Sequence, residues 1–257
     1  MEFGFTLRRA RFLTHVLVYS GVFLEREYRA FAGIAHGQKT HDFLTKLIDD
    51  GYARAITPGA LHRGRLFHVQ YKPMYEAIGE PNNRNRKPAS LGRFVERLML
   101  LDAVLADRQC GWLGTERDKT NYFAAHLEND IPKDWYPHLT FGEGRAKTTR
   151  YFPDKVPIGT PRDGGRRHVF LYLVTREVAA EFRLFLLRHA ERLRAVHEWT
   201  LRHLQSAYLE QAQDVAVASP RSGGVLCRPC LSHGVGCRSA SRGVNDPGTA
   251  REGWPRA

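Results

Sequence analysis

The most informative part of this sequence is residues 10–53, which run ARFLTHVLVYSGVFLEREYRAFAGIAHGQKTHDFLTKLIDDGYA. Two segments within it carry apolar residues at i, i+1, i+4 and i+5, a spacing that aligns them along one stripe of an α-helix. The first stripe is Phe12, Leu13, Val16 and Leu17, and the second is Phe43, Leu44, Leu47 and Ile48. A shorter helical stretch, Glu25 to Phe31, lies between them, so this region predicts three helices.

A tight turn and a hairpin complete the pattern. The turn before the third helix is Gly33-Ile34-Ala35-His36-Gly37, whose two glycines can adopt positive φ. After Gly51 the sequence predicts a hairpin with strands Tyr52–Thr57 and Arg65–Tyr71. Three small helices followed by a hairpin with a basic tip are typical of a winged helix-turn-helix, a module that reads DNA.

Two stretches also resemble a known family. Residues 10–53 and residues 62–79, HRGRLFHVQYKPMYEAIG, are similar to the winged-helix module of replication-relaxation-type proteins, which are carried on bacterial plasmids and integrating elements. The resemblance covers about the first third of the chain. It continues more weakly through YFPDKVPIG at 151–159 and VFLYLVTR at 169–176.

This resemblance implies a duplex DNA-binding protein of a bacterial mobile element, acting in replication, transfer or transcription control. It places the recognition helix at Gln38 to Asp49 and the wing at His62 to Arg65. Recognition helices bring their N-terminal residues to base edges, where Gln38 can bind adenine bidentately and Lys39 can reach guanine or a phosphate. A basic hairpin tip suits a minor groove or an adjacent phosphate.

The predicted DNA contacts lie on three segments. They are Gln38, Lys39, Thr40, His41, Thr45 and Lys46 on the helix, His62, Arg63 and Arg65 at the wing, and Arg84, Arg86 and Lys87 in the linker that follows. Asp42 and Asp49 share the helix and would repel phosphates. In the second hairpin strand, alternation places Phe67 and Val69 toward the core, which predicts that His68 lies at the surface.

Composition agrees with a polyanionic partner. The chain has 257 residues and a formal net charge of +12, and residues 51–100 hold nine Lys or Arg against three Glu. Its longest apolar runs fall short of the ~18 residues of a membrane span, and the N-terminus lacks a signal-peptide pattern. Three of the four cysteines lie in the tail, which does not suggest a disulfide framework. We therefore expect a cytoplasmic protein with no membrane partner.

The fold class predicted is α+β, with four regions along the chain. They are a winged helix-turn-helix at 1–80, a basic linker with bridging helices at 81–130, a small α+β domain at 131–213 and a disordered tail at 214–257. In the third region, Arg150–Ile158 and His168–Val174 are predicted strands. A long helix follows Thr175, with His189 packed in the core and Arg192 among the arginines that fall largely on its other faces. It continues past Trp199, Leu201 and Leu204 to about Gln213.

The helix predicted at Leu91 to Asp107 has apolar residues on more than one stripe. Two explanations remain open. A homodimer would cover part of this surface and place two winged modules on adjacent half-sites. Alternatively, the helix is the core bridge between the two parts of one chain. Protein partners from a replication or transfer complex are a further expectation.

Other chemistry has weaker signals. Cys227, Cys230, His233 and Cys237 have the spacing C-x2-C-x2-H-x3-C, in which the last two gaps are too short for a zinc knuckle, so no metal site is predicted. Nuclease folds of the restriction type place an Asp before one strand and Glu-x-Lys on the next. Asp154 fits the first position, but 168–174 holds neither acid nor lysine. We expect no enzyme activity and no cofactor, with a protein-interaction module and a metal-dependent nuclease as the alternatives.

Overall fold

The computed structural model describes residues 3–56, 65–126, 132, 135–162, 167–174, 179–196 and 198–205, which form mixed α+β structure with several sheets. The N-terminal elements are, in chain order, α1 (Leu7–His15), β1 (Val22–Leu24), α2 (Glu25–Ala32), α3 (Gln38–Asp49), β2 (Ala53–Ile56), β3 (Leu66–Val69), α4 (Lys72–Ala77) and α5 (Leu91–Ala106). They are followed by β4 (Cys110–Leu113), α6 (Glu116–His126), β5 (His138–Phe141), β6 (Thr148–Tyr151), β7 (Ile158–Pro161), β8 (Arg167–Val174), α7 (Ala179–Ala195) and β9 (Glu198–Gln205).

The three predicted N-terminal helices are present, and their apolar stripes meet in one core. Phe12 and Leu13 on α1 and Phe43, Leu44 and Leu47 on α3 are buried there. The predicted stripe fails only at its end, because Ile48 is 38% exposed. α1 continues into a π-helical turn, Val16–Ser20, that ends at Gly21 with φ of +73°. A Cβ at Gly21 would lie 2.4 Å from the carbonyl oxygen of Asn85, so this position requires glycine.

The first sheet has three antiparallel strands in the order β1-β3-β2. The two hairpin strands were predicted, whereas β1 was not, because three residues are too short for a periodicity signal. Within β3, Phe67 and Val69 face the helical core. The prediction for His68 was wrong, since it is 1% exposed and its Nε2 donates to the carbonyl of Asn85 at 2.8 Å. Both faces of this strand are covered, so alternation could not separate core from surface.

The second face of this sheet is covered by the linker and α5. Asn85 is buried and its amide donates to the carbonyls of Leu17 (3.3 Å) and Val18 (3.1 Å), which fixes the linker against the π-helical turn. Phe94 and Leu98 of α5 pack with Val22, Leu24 and Leu66.

The other side of α5 packs against a second sheet. Leu100 and Ala103 lie in a cluster with Val169, Leu171 and Leu204. Leu101 joins the N-terminal core. The several apolar stripes of α5 are therefore covered within one chain. This agrees with the bridge explanation, and the helix itself gives no argument for a dimer.

The second sheet has the order β4-β7-β8-β9, and only β8 and β9 are parallel. α7 connects these two strands. The prediction of a helix past Trp199 was wrong, because residues 198–205 pair with all eight residues of β8. The spacing of Trp199, Leu201 and Leu204 suits either structure, and pairing with β8 decides it. β4 belongs to this sheet, so the α+β unit begins well before residue 131.

In this part of the chain, one local prediction is confirmed and another is wrong. Thr115 caps α6 as predicted, since its hydroxyl accepts from the amide of Asp118 at 3.0 Å and Asp118 accepts in return at 3.2 Å. The single strand predicted at Arg150–Ile158 is instead two strands, β6 and β7. They are separated by a turn in which Phe152 and Lys155 have φ of +51° and +55°.

Several predictions lie outside the described residues. They concern the wing tip with His62 and Arg63, the cap at Thr175, and the tail at 214–257 with its four Cys and His residues. Among the helices in the described part of the chain, none is long and apolar enough to cross a membrane.

Candidate nucleic-acid interface

The N-terminal half of α3 presents polar side chains to solvent. Gln38, Lys39 and His41 are exposed, and Thr45 and Lys46 are half-buried. The residue before the helix, Gly37, has no side chain that could cap it, and the first turn contains no acidic residue. The positive end of the helix dipole is therefore left open to an anion such as a phosphate.

One predicted contact on α3 is not available. Thr40 is 1% exposed, and its hydroxyl donates to the carbonyl oxygen of Ala35 at 3.5 Å. The reason is periodicity, because position 40 falls on the same stripe as Phe43, Leu44 and Leu47. The spacing that defined the core face could have excluded Thr40 from the predicted contacts.

The base of the wing lies beside the N-terminus of α3. Arg65 is exposed and its guanidinium lies 5.7 Å from the centre of the Phe67 ring. Arg65, Gln38 and His41 line a cleft of about 330 Å³ together with Glu25 and His36. Strand β3 and helix α3 thus bring two of the three predicted contact segments together.

Acidic residues limit how far along α3 a phosphate would be attracted. Gln38 donates to Asp42 at 2.5 Å, and Lys46 is paired with Asp50 at 2.7 Å. This hydrogen bond to Asp50 raises the pKa of Lys46. Asp42, Asp49 and Asp50 are all exposed, so the second half of the helix surface has no excess positive charge. Attraction for an anion is therefore concentrated at the first turn.

Two arginines that the sequence analysis did not include among the contacts also lie beside that turn. Arg9 donates to the carbonyl of Lys39 at 3.4 Å, with its guanidinium 5.4 Å from the Phe43 ring centre. Arg8 donates to the carbonyl of Ala32 at 3.2 Å. Arg8, Arg9 and Lys39 line a second cleft, of about 450 Å³. The run of arginines at positions 8, 9 and 11 was the signal that could have identified them.

The linker residues predicted to contact DNA lie elsewhere. Arg84 and Lys87 are exposed and Arg86 is half-buried. Through Asn85 and His68 this segment is fixed to the face of the three-stranded sheet opposite α3. The structure therefore does not join these three residues to the exposed residues at the first turn of α3.

Asp154, the residue of the nuclease alternative, lies in a cluster of basic side chains. Its Oδ2 accepts from Nε2 of His189 at 3.2 Å. Lys119 and Arg192 are both 1% exposed, and their charged groups lie 5.2 and 4.8 Å from the Phe152 ring centre. Arg192 was predicted to lie off the core face, which is wrong. Its guanidinium donates to Nδ1 of His189 at 2.5 Å, so this histidine is neutral.

Electrostatics oppose a metal at this cluster. Burial alone would raise the pKa of Asp154, but the hydrogen bond from His189 and the charge of Lys119 outweigh it and leave the pKa at about 2. Burial lowers the pKa of Lys119 to about 8. A single carboxylate among cations holds Mg²⁺ poorly. No group of three His, Cys, Asp or Glu residues in the described part of the chain could hold a metal ion.

No protein-family model, curated protein or solved structure matches this chain. A function for the chain therefore depends on its own sequence and structure. The features that bear on it are the open first turn of α3, the position of Arg65 beside that turn, and the arginines of α1.

Proposed function

We propose that this chain is a duplex DNA-binding protein whose N-terminal part is a winged helix-turn-helix. In this proposal α3 is the recognition helix, and the segment between β2 and β3 is the wing. The observation that carries it is topology. The element order α1-β1-α2-α3-β2-β3 with the sheet order β1-β3-β2 supports the proposal, because winged-helix modules connect three helices and three strands in this order.

The side chains of α3 support this assignment. Gln38, Lys39 and His41 are exposed on the first turn, which recognition helices direct toward base edges. Each bidentate contact with a base supplies about 1–3 kcal/mol of discrimination. Arg65, Arg8 and Arg9 flank this turn and would contact phosphates, which fix the register of the protein on the duplex.

We assign the biological role by the family resemblance of residues 10–53 and 62–79. The chain would act in the bacterial cytoplasm, on a plasmid or an integrating element, in replication, transfer or transcription control. It would do so by binding and not by catalysis, since Asp154 is paired with His189 among buried cations.

The direct test is selection of preferred sites from random duplexes with the full chain, followed by fluorescence anisotropy over a range of salt. Binding to duplex DNA should weaken steeply as salt rises, by about 0.9 in the logarithm of affinity per phosphate contact for each tenfold increase. Gln38→Ala and Lys39→Ala should lower the preference for the selected site over a scrambled one. Asp49→Ala, a change on the far end of the same helix, is the matched control.

The alternatives give different results. A protein-interaction module would show no salt-dependent shift with any duplex. A nuclease would cut DNA in the presence of Mg²⁺ and lose this activity in Asp154→Ala. Equal binding of the parent and both α3 variants to selected and scrambled sites would show that α3 is not the recognition helix.

A further inference from the structure

The hairpin formed by β5 and β6 projects from the C-terminal part of the chain. Its two strands pair with each other as an antiparallel ribbon. Every residue from 138 to 148 is exposed. The ribbon is anchored at its base, where Tyr136 and Phe152 are buried and the amide of Phe152 donates to the carbonyl of Pro137 at 2.7 Å. It is therefore an arm on a fixed base.

One face of the ribbon carries two large apolar side chains beside Arg150 and Thr148. In the antiparallel register, Leu139 is paired with Arg150, and Phe141 with Thr148. Residues two positions apart on one strand point to the same face of a sheet. Leu139 and Phe141 therefore lie side by side. They are 51% and 54% exposed. Two neighbouring large apolar side chains on an exposed ribbon call for a partner.

The charge of the ribbon indicates a negatively charged partner. The turn and second strand of the ribbon carry Arg145, Lys147 and Arg150 against Glu143. At the base of the ribbon, Lys155 is exposed at the surface. Partial burial and the charges of Arg84, Arg150 and Arg97 lower the pKa of Lys155, whereas the charge of Glu80 raises it. Arg97 also donates to the carbonyl of Arg84 at 3.3 Å. A basic surface therefore runs from the ribbon to the linker.

We infer that the ribbon and the cations at its base form a second DNA-contacting surface, which binds duplex DNA outside the segment read by α3. This inference rests on the proposed function. A two-stranded ribbon fits the major groove of B-DNA. Phosphates would neutralise the gathered cations, while Leu139 and Phe141 would pack on the sugars between them. A second copy of the chain would bring like charges together on this surface and is disfavoured.

This surface accounts for the position of the linker residues. Arg84 lies on the sheet face opposite α3, where it could not serve the recognition helix. Next to Lys155 and Arg150 it becomes part of the second surface. Because phosphate contacts carry no base information, this surface should add affinity without changing which sequence is preferred.

The electrostatic part is tested with Arg150→Gln/Lys155→Gln in the full chain. The probe is a fluorescein-labelled duplex of mixed sequence, about three helical turns long. We expect affinity about tenfold weaker and a slope of log affinity against log salt reduced by about 2. The matched control is Arg183→Gln/Arg188→Gln, which removes the same charge from exposed positions on α7. It should change both quantities less.

The apolar part is tested with Leu139→Ser/Phe141→Ser. We expect affinity lower by about fivefold with an unchanged salt slope, because apolar contacts release no counterions. The melting temperature should stay close to that of the parent, since both side chains are more than half exposed.

The outcomes separate this inference from the proposed function. If the parent binds the duplex but both ribbon variants bind like it, the second surface is wrong and α3 binding stands. If Leu139→Ser/Phe141→Ser converts a dimer into a monomer by light scattering with DNA affinity unchanged, the ribbon joins copies of the chain. If the parent binds no duplex, both proposals are wrong.

Discussion

In the N-terminal core, aromatic rings pack on one another, whereas the core beneath the C-terminal sheet also holds four ionisable side chains. The ring of Phe43 lies 4.2 Å from that of Tyr28, centre to centre, and packs in a core of apolar side chains. The C-terminal core contains Lys119, Asp154, His189 and Arg192 around the ring of Phe152. The first core depends on shape and area, and the second also depends on one carboxylate that offsets two buried cations.

The largest effect is expected in the aromatic core. Phe43→Ala should reduce the free energy of unfolding by about 3–5 kcal/mol, because this side chain is fully buried and its removal leaves a cavity. Urea denaturation followed by circular dichroism measures this. Ile48→Ala on the same helix is the control and should cost less than about 1 kcal/mol, since Ile48 is 38% exposed. Equal losses would mean that α3 does not pack as described.

The next effect concerns the charged core. Asp154→Asn should cost about 3 kcal/mol, since it leaves Lys119 and Arg192 buried without a carboxylate beside them. Glu143→Gln, an exposed carboxylate on the ribbon, is the control and should change stability very little. The double variant Lys119→Met/Asp154→Asn should recover part of the loss, because one buried cation is removed with the anion. If the double variant loses the sum of the stability losses of its two single variants, the charge explanation is contradicted.

The same contrast explains how much of this molecule could be predicted from its sequence. In the N-terminal part, apolar spacing located α1, α2, α3 and the hairpin, because each element covers one face with apolar residues. Apolar spacing was a poor guide at β3, because both faces of this strand are covered. The prediction that His68 lies at the surface was therefore wrong.

In the C-terminal part, polarity was a poor guide to burial. Arg192 and Lys119 are core residues, and the pattern rule assigns such side chains to the surface. Strand β9 depends on pairing with β8, a contact that the local sequence does not encode. At the candidate site, the exposed residues of α3 followed from the helical stripe. The contributions of Arg9 and of the ribbon depend on contacts between segments distant in sequence.

Acid should weaken the charged core. The pKa of Asp154 is about 2 in the folded chain, against an ordinary value of 3.8. A depressed pKa stabilises the fold above pH 3.8, and this contribution is lost as the pH falls from 3.8 toward 2. The shift corresponds to about 2 kcal/mol. Urea midpoints of the parent should fall in this window more steeply than those of Lys119→Met/Asp154→Asn. Parallel curves would exclude Asp154 as the titrating group.

The last effect has the opposite sign and belongs to the N-terminal part. Glu27 is 3% exposed and accepts from the amide of Leu24 at 2.8 Å. Burial and the nearby carboxylate of Asp102 raise its pKa well above 4.5. A raised pKa means that the ionised form costs stability, so folding should gain stability as the pH falls from neutral toward 4.5.

Glu27→Gln removes this titration and retains an acceptor for the amide of Leu24. The stability of the parent relative to Glu27→Gln should therefore rise as the pH falls from 7 to 4.5. The amide of Leu24 and the charge of Arg26 partly stabilise the ionised form and so limit this gain. Glu25→Gln, on the same turn but paired with His36, is the control for the loss of a charge. A parent that loses stability relative to Glu27→Gln over this range would show that the carboxylate is held ionised, and the contrast between the two cores would then rest on Asp154 alone.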